Sequence, residues 1–291
     1  MNRTTGPADG TTRLTGRTGR AGLTGMAGAA LALSLLATAA CGREAKETSM
    51  APETTVTAAE WQALSGLRVV FGHQSVGRNL LDGLQKLAAQ AQAPLAVTES
   101  RTPTGAAGIT HFAVGANGDP LAKIRDFAAV IDSAGPDAAD VALVKLCYID
   151  FSGDADPGQV AAAYCDTLDA LARRHPRTRF VAVTVPLTTV QTGPKAVVKR
   201  LLGRVPDGYA ENARRQVFND VLRTRDGGRH LFDLAALEAE PSRRRHEDQD
   251  IQCLDPALTS DGGHLNDAGA RRVATQFVHF LAGLATPGRE P

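Results

Sequence analysis

The chain has 291 residues, 43% of them hydrophobic, which is enough to bury a substantial core and too many for a globally disordered chain. Its formal net charge is +1, and the first forty residues hold four Arg (Arg3, Arg13, Arg17, Arg20) against Asp9, so the remainder is slightly acidic. That balance excludes a nucleic-acid partner held by bulk charge.

The amino-terminal stretch reads as an export signal over residues 1–40: basic residues through Arg20, an uncharged run rich in Ala and Leu from Ala21, then small residues ahead of Cys41. Its end resembles a bacterial lipobox, with Thr38 where that pattern usually has Leu. The resemblance implies a lipid on Cys41 and a body held outside the cytoplasmic membrane, on that membrane's outer face or on the outer membrane. The competing reading is an uncleaved anchor, since about 20 apolar residues span a bilayer. No twin-Arg pair precedes the run, which favours the general secretory route. With Cys41 assigned to lipid, Cys147, Cys165 and Cys253 remain, so at most one internal disulfide is available, and free thiols are expected.

Residues 41–58 are polar, with Pro, Thr and Glu and no apolar period, and read as a tether. The folded body is expected over 59–286, beginning near Trp61, with a short tail at 287–291. Leu67–Phe71 is an apolar run expected as a strand, and Leu80, Leu84, Leu87 and Ala91 follow at helical spacing. Leu95–Thr98 is a second short strand. Residues 104–118 (TGAAGITHFAVGANG) read as a glycine-rich loop, and Asp119-Pro120 opens a helix with Leu121, Ile124, Ala128 and Ile131 on one face. A nearly continuous apolar strand is expected over Val141–Ile149.

Val160, Tyr164, Leu168 and Leu171 mark a further helix, and the strand Phe180–Val185 stops at Pro186. Residues 187–210 form an excursion carrying Lys195, Lys199, Arg200 and Arg204, followed by a helix near Asn212–Leu222 and a short strand at Leu231–Leu234. Residues 243–250 (RRRHEDQD) read as a solvent-exposed insertion. The last helix runs from about Asp267 to Leu284, with Asn266 as N-cap and Val273, Phe277, Phe280 and Leu281 inward. Apolar strands alternating with helices predict an α/β chain: a three-layer α/β/α sandwich around a mostly parallel sheet.

In such sheets ligands sit beyond the carboxyl ends of the strands, so polar residues there take priority. Ser75 in GHQSVG (72–77) falls between the first strand and its helix, where backbone amides favour developing negative charge. Alone it reads as a helix cap. Asp261 and His264 stand three apart in SDGGHLNDAG (260–269), a spacing that lets the carboxylate hold one ring nitrogen while the other faces a hydroxyl. Alone that pair reads as turn chemistry.

Together, in this order and across βα alternation, the segments resemble the SGNH (GDSL-like) serine hydrolases over about residues 67–284. The order differs from that of α/β-hydrolases, whose nucleophile comes later, within Gly-x-Ser-x-Gly. The resemblance implies an ester hydrolase with Ser75 as nucleophile, His264 as base and Asp261 as its partner. In GANGDP (115–120) it implies Gly118 as a backbone donor to the oxyanion; turn geometry ahead of Asp119 is the plainer role for that glycine. Two blocks depart from the family: GHQS stands where Gly-Asp-Ser is usual, and in CYID (147–150) Ile149 takes the position of the family's Asn.

His73, Gln74, Asn117 and the Tyr148 hydroxyl are open alternatives for the missing donor or for substrate contacts. Asp150 reads as a capping or loop residue, and His111 as a loop residue with either a structural or a substrate role. The expected reaction is hydrolysis of an ester, on a glycan, lipid or small molecule, with no cofactor and no metal. The rival from another class is a non-catalytic carbohydrate-binding or scaffold lipoprotein on the same fold. Metal-dependent hydrolysis through His73, His111 and Asp150 ranks last, because those residues lack ligand spacing.

Overall fold

Arg68–His73 forms β1, an apolar strand buried on both faces and flanked by a parallel neighbour on each side. This is a computed structural model that describes residues 55–285 apart from Asp137 and residues 226–229. The expected export signal, Cys41, the tether up to residue 54 and the tail 287–291 lie outside the described residues. No helix among the described residues is long and apolar enough to cross a membrane.

The six strands β1, β2 (Val97–Glu99), β3 (Gly108–Ala113), β4 (Val141–Val144), β5 (Arg179–Val183) and β6 (Leu231–Phe232) form one sheet in the order β2-β3-β1-β4-β5-β6. Every pairing is parallel. The chain leaves β1 toward β3 on one side and β4 on the other, so the order reverses at β1 and opens a crevice at its carboxyl end.

Side-chain alternation along the strands sorts the core into two layers. Val69 and Phe71 of β1 join Leu143 and Val183 under α1 (Ala58–Gly66), α2 (Ser75–Gln90) and α8 (Asp267–Ala285). Val70, Ala142 and Val144 face the other way, onto α3 (Pro120–Ala134), α4 (Pro157–Arg174) and α6 (Tyr209–Thr224). The expected three-layer α/β/α architecture is therefore the observed one. Between α2 and α8 the backbones meet so closely that a Cβ on Gly83 would lie 2.5 Å from the Ala270 carbonyl oxygen. That approach fixes how the start of α2 meets the loop before α8.

Several elements differ from expectation. Residues 104–118 are not one loop: Gly108–Ala113 is β3, next to the centre of the sheet, and His111 is a buried strand residue. The glycines before and after it mask a run that pairs along the whole of β1. The strand expected to reach Ile149 ends at Val144, and Tyr148–Phe151 is a 3-10 turn, because Asp150 is drawn inward by a buried cation. That cation is Lys123, which takes an inward position on α3, whereas Leu121, expected there, is exposed.

The body starts ahead of Trp61: Thr57 caps α1 through a capping box with Glu60, and Val56 packs on the core. The excursion 187–210 contains α5 (Gly193–Leu201), and α7 (Leu234–Glu238) follows β6 directly. Residues 243–250 fall largely in a two-stranded antiparallel pair, β7 (Arg244–His246) and β8 (Gln249–Ile251). Asn266 accepts from the Gly269 amide at 3.0 Å, the bond expected of a cap on α8. Cys147, Cys165 and Cys253 are not in disulfides.

Candidate active site

The loop before α8 is wound around one carboxylate. Asp261 Oδ1 accepts the Gly263 and His264 amides at 2.9 and 2.8 Å, and Oδ2 accepts from His264 Nδ1 at 2.7 Å. Thr259 ties the same loop by donating its hydroxyl to the His264 carbonyl at 2.6 Å. The bonds from His264 and its neighbouring amides hold the Asp261 carboxyl well below the usual carboxylate range. It is therefore an anion that keeps the proton on Nδ1 and leaves the Nε2 lone pair facing outward.

Ser75 is brought to the same place by α2. Asn79, one turn further along that helix, accepts the Leu265 amide at 3.3 Å, so the face of α2 that carries Ser75 abuts the residue after His264. Ser75 is not the cap of its helix: Gln74 is the N-cap residue, and its side chain donates instead to the Val114 and Gly115 carbonyls at 2.7 and 3.1 Å. Ser75 is half-buried, and its hydroxyl has no hydrogen bond among the described residues. Helix geometry leaves the first-turn amides of α2 without intrahelical acceptors, at the positive end of the dipole.

Tyr148 closes the group from the carboxyl end of β4. Its hydroxyl lies 3.5 Å from His264 Nε2, and the two rings meet edge-on at 71° with centroids 5.7 Å apart. Gly263 makes room for this ring, since a Cβ there would lie 2.9 Å from Tyr148 Cζ. Buried Arg215 of α6 holds Tyr148 from behind, with Nε donating to its carbonyl at 3.1 Å while Nη1 donates to Thr188 and Asn212. Thr189 then bonds back to the Gly262 carbonyl at 2.9 Å.

The remaining expected residues lie around this group in other roles. The Gly118 amide, expected to face an oxyanion, donates to Asp150 Oδ1 at 2.8 Å. Asn117 accepts from Lys123 Nζ at 2.8 Å. Asp150 is fully buried; both its oxygens take Lys123 Nζ at 2.8 Å, and Oδ2 also accepts the Cys147 amide. Its reading as a capping residue is thus observed, with a buried partner that sequence reasoning missed. Ile149 is 42% exposed and carries no polar group to the site.

His73 and His111 form a buried pair beneath, with Nε2 of the first 3.1 Å from Nδ1 of the second. Because His73 Nδ1 donates to the Gln74 carbonyl, its Nε2 is the acceptor. Burial, with the charges of His111 and Lys145 assisting, pushes His73 down to about 4, so it is neutral near pH 7. Asp150 does not join the two histidines, and no group of three or more metal-ligating residues converges among the described residues. Lys123, Arg215, Asn79 and Thr259 were not readable as site residues; only the four-residue step from Ser75 to Asn79 gave any signal.

The fold and the site define an α/β/α chain with a carboxylate-held imidazole and a hydroxyl at a helix N-terminus. No family model and no curated protein matches the chain. Among solved structures, it is similar to one provisionally described as a platelet activating factor from Streptococcus pneumonia (13% identity, 77% of this chain and 91% of that one, TM-score 0.45). A second is the periplasmic domain of a lipopolysaccharide acetyltransferase from Salmonella ser. Paratyphi A (13%, 78% and 90%, 0.44). A third, from Desulfitobacterium hafniense, is provisionally described as a lipolytic protein of the G-D-S-L family (9%, 73% and 98%, 0.39).

Proposed function

We propose that this chain is a serine ester hydrolase of the SGNH type. The observation that carries the reading is the Asp261–His264 pair at 2.7 Å, set beside the face of α2 that carries Ser75, whose hydroxyl has no hydrogen bond among the described residues. In the reaction, His264 Nε2 takes the Ser75 proton as Oγ attacks the ester carbonyl carbon. The tetrahedral intermediate then collapses, the carbon–oxygen bond to the alcohol breaks, and His264 returns the proton to that alcohol. Water enters by the same base, and the acyl–Ser75 bond is hydrolysed to the acid.

The oxyanion falls to the first-turn amides of α2 and to the Tyr148 hydroxyl, which lies beside His264 Nε2. Tyr148 in this reading replaces the Asn whose position Ile149 occupies. The Gly118 amide is engaged by Asp150 and is not assigned to the hole. The test is turnover of a panel of short p-nitrophenyl esters. The expected loss in Ser75→Ala or His264→Ala is on the order of 10⁶-fold in kcat, and in Asp261→Asn about 10⁴-fold. Undiminished turnover in purified Ser75→Ala sinks the reading.

A further inference from the structure

The helix α5 and the turn after it carry the most exposed apolar side chains of the described residues. Leu201 is 81% and Leu202 66% exposed, and Val197, Val198 and Val205 are each at least half exposed. Spacings of one and four residues place Val197, Val198, Leu201 and Leu202 in one stripe, an arc of about 140° at 100° per residue. The helix holds to the body through Ala196, its one buried residue.

Within the segment itself the charge is of one sign, and the nearest carboxylate along the chain, the exposed Asp207, lies just beyond it. From Gly193 to Val205 there are four cations (Lys195, Lys199, Arg200 and Arg204) and no carboxylate. By the same geometry Lys195 borders the stripe on one side and Arg200 on the other. Lys199 pairs with Asp207 at 2.6 Å, and Arg200 donates to the Tyr209 hydroxyl at 3.0 Å, so these two are fixed while Lys195 and Arg204 stand exposed. The foot of the segment is tied to the candidate site, since Thr189 donates to the Gly262 carbonyl.

We infer that α5 is an interfacial helix that lays Val197, Val198, Leu201 and Leu202 into the surface of an anionic lipid bilayer, with the flanking cations at the headgroups. An apolar arc edged by Lys and Arg without acidic residues is the pattern that binds such surfaces through burial and charge together. Lipid supplies both an apolar layer for the stripe and anions for its borders. A second copy of this chain, whose folded part is slightly acidic overall, meets only part of that requirement. The inference does not rest on the Ser75 chemistry; its consequence is that the site beside α5 would be held at a lipid surface.

The test uses the full chain carrying Leu201→Trp, whose indole is read against the single native Trp61, which is buried. With phosphatidylglycerol vesicles the expected result is a blue shift and quenching by lipids brominated along the acyl chain. Adding Leu202→Asp and Val198→Asp should weaken this at least about tenfold, and salt near 0.5 M should weaken it further. Because bromine quenches at contact, binding of the chain elsewhere does not reproduce the signal. Unchanged emission with vesicles overturns the inference, even where the chain sediments with them. So does an equal response to uncharged phosphatidylcholine, or a blue shift that follows protein concentration without lipid, which would make a second copy the occupant.

Discussion

Removing Asp150 tests the buried scaffold beneath the candidate site. Asp150 and Lys123 are both 0% exposed, and the carboxylate accepts from Lys123 Nζ on both oxygens, from the Gly118 amide and from the Cys147 amide. Asp150→Ala removes all four acceptor contacts and strands an ammonium out of water. Breaking one side of a buried pair costs about 3–5 kcal/mol, which for a domain of this size lowers Tm by roughly 6–20 °C. Urea unfolding at pH 7 measures it. Lys123→Met should cost a similar amount, while Lys123→Met with Asp150→Ala should cost less than the two singles together, by about 1.5 kcal/mol or more, because the second change no longer leaves a charge alone. An Asp150→Ala protein within about 1 kcal/mol of wild type would show that the charge escapes to water and that the pair is not the anchor described.

Two further outcomes follow from the geometry. Tyr148→Phe should lower kcat by about 10² to 10³-fold with KM little changed and the melting temperature preserved, since the only described bond of that hydroxyl is the 3.5 Å contact to His264; a kcat within twofold of wild type removes Tyr148 from the oxyanion role. Glu238 is wholly buried beneath Leu187 with Oε2 unpartnered, and burial pushes its carboxyl up to about 8. The folded state then holds this proton more tightly than the unfolded one, so its contribution is full below about pH 4.5 and declines as pH rises toward 8, by about 1.4 kcal/mol per pH unit at most. The stability of wild type relative to Glu238→Gln should therefore fall between pH 5 and 8, and a difference that does not change with pH rules this out.

The parts of the fold visible in sequence were those written in local pattern. Leu67–Phe71 and Phe180–Val185 announce buried strands by runs that are apolar apart from Arg68 and Thr184, and the inward residues of α8 recur at helical spacing. Ser75, Asp261 and His264 were visible because their order along a βα chain is itself a pattern. What escaped depended on partners far away in sequence. β3 looked like a loop because its glycines outweighed six residues whose identity as strand comes from pairing with β1. Lys123 on α3 reads as a surface charge until Asp150, 27 residues on, is known to face it. The family resemblance implies a free amide at Gly118, yet the same carboxylate accepts it. In sequence the α5 segment shows only its basic residues, because exposure of Leu201 and Leu202 is a property of what fails to cover them.

The most direct measurement of the central claim is covalent capture of the nucleophile. The full chain is incubated with a fluorophosphonate, digested, and the adduct located by mass spectrometry. The expected result is one adduct, on the peptide containing Ser75, with loss of fluoride, absent in Ser75→Ala and strongly slowed in His264→Ala because the hydroxyl then lacks its base. An unlabelled protein, or an adduct on any residue other than Ser75, would contradict the triad and leave the non-catalytic reading of this fold in its place.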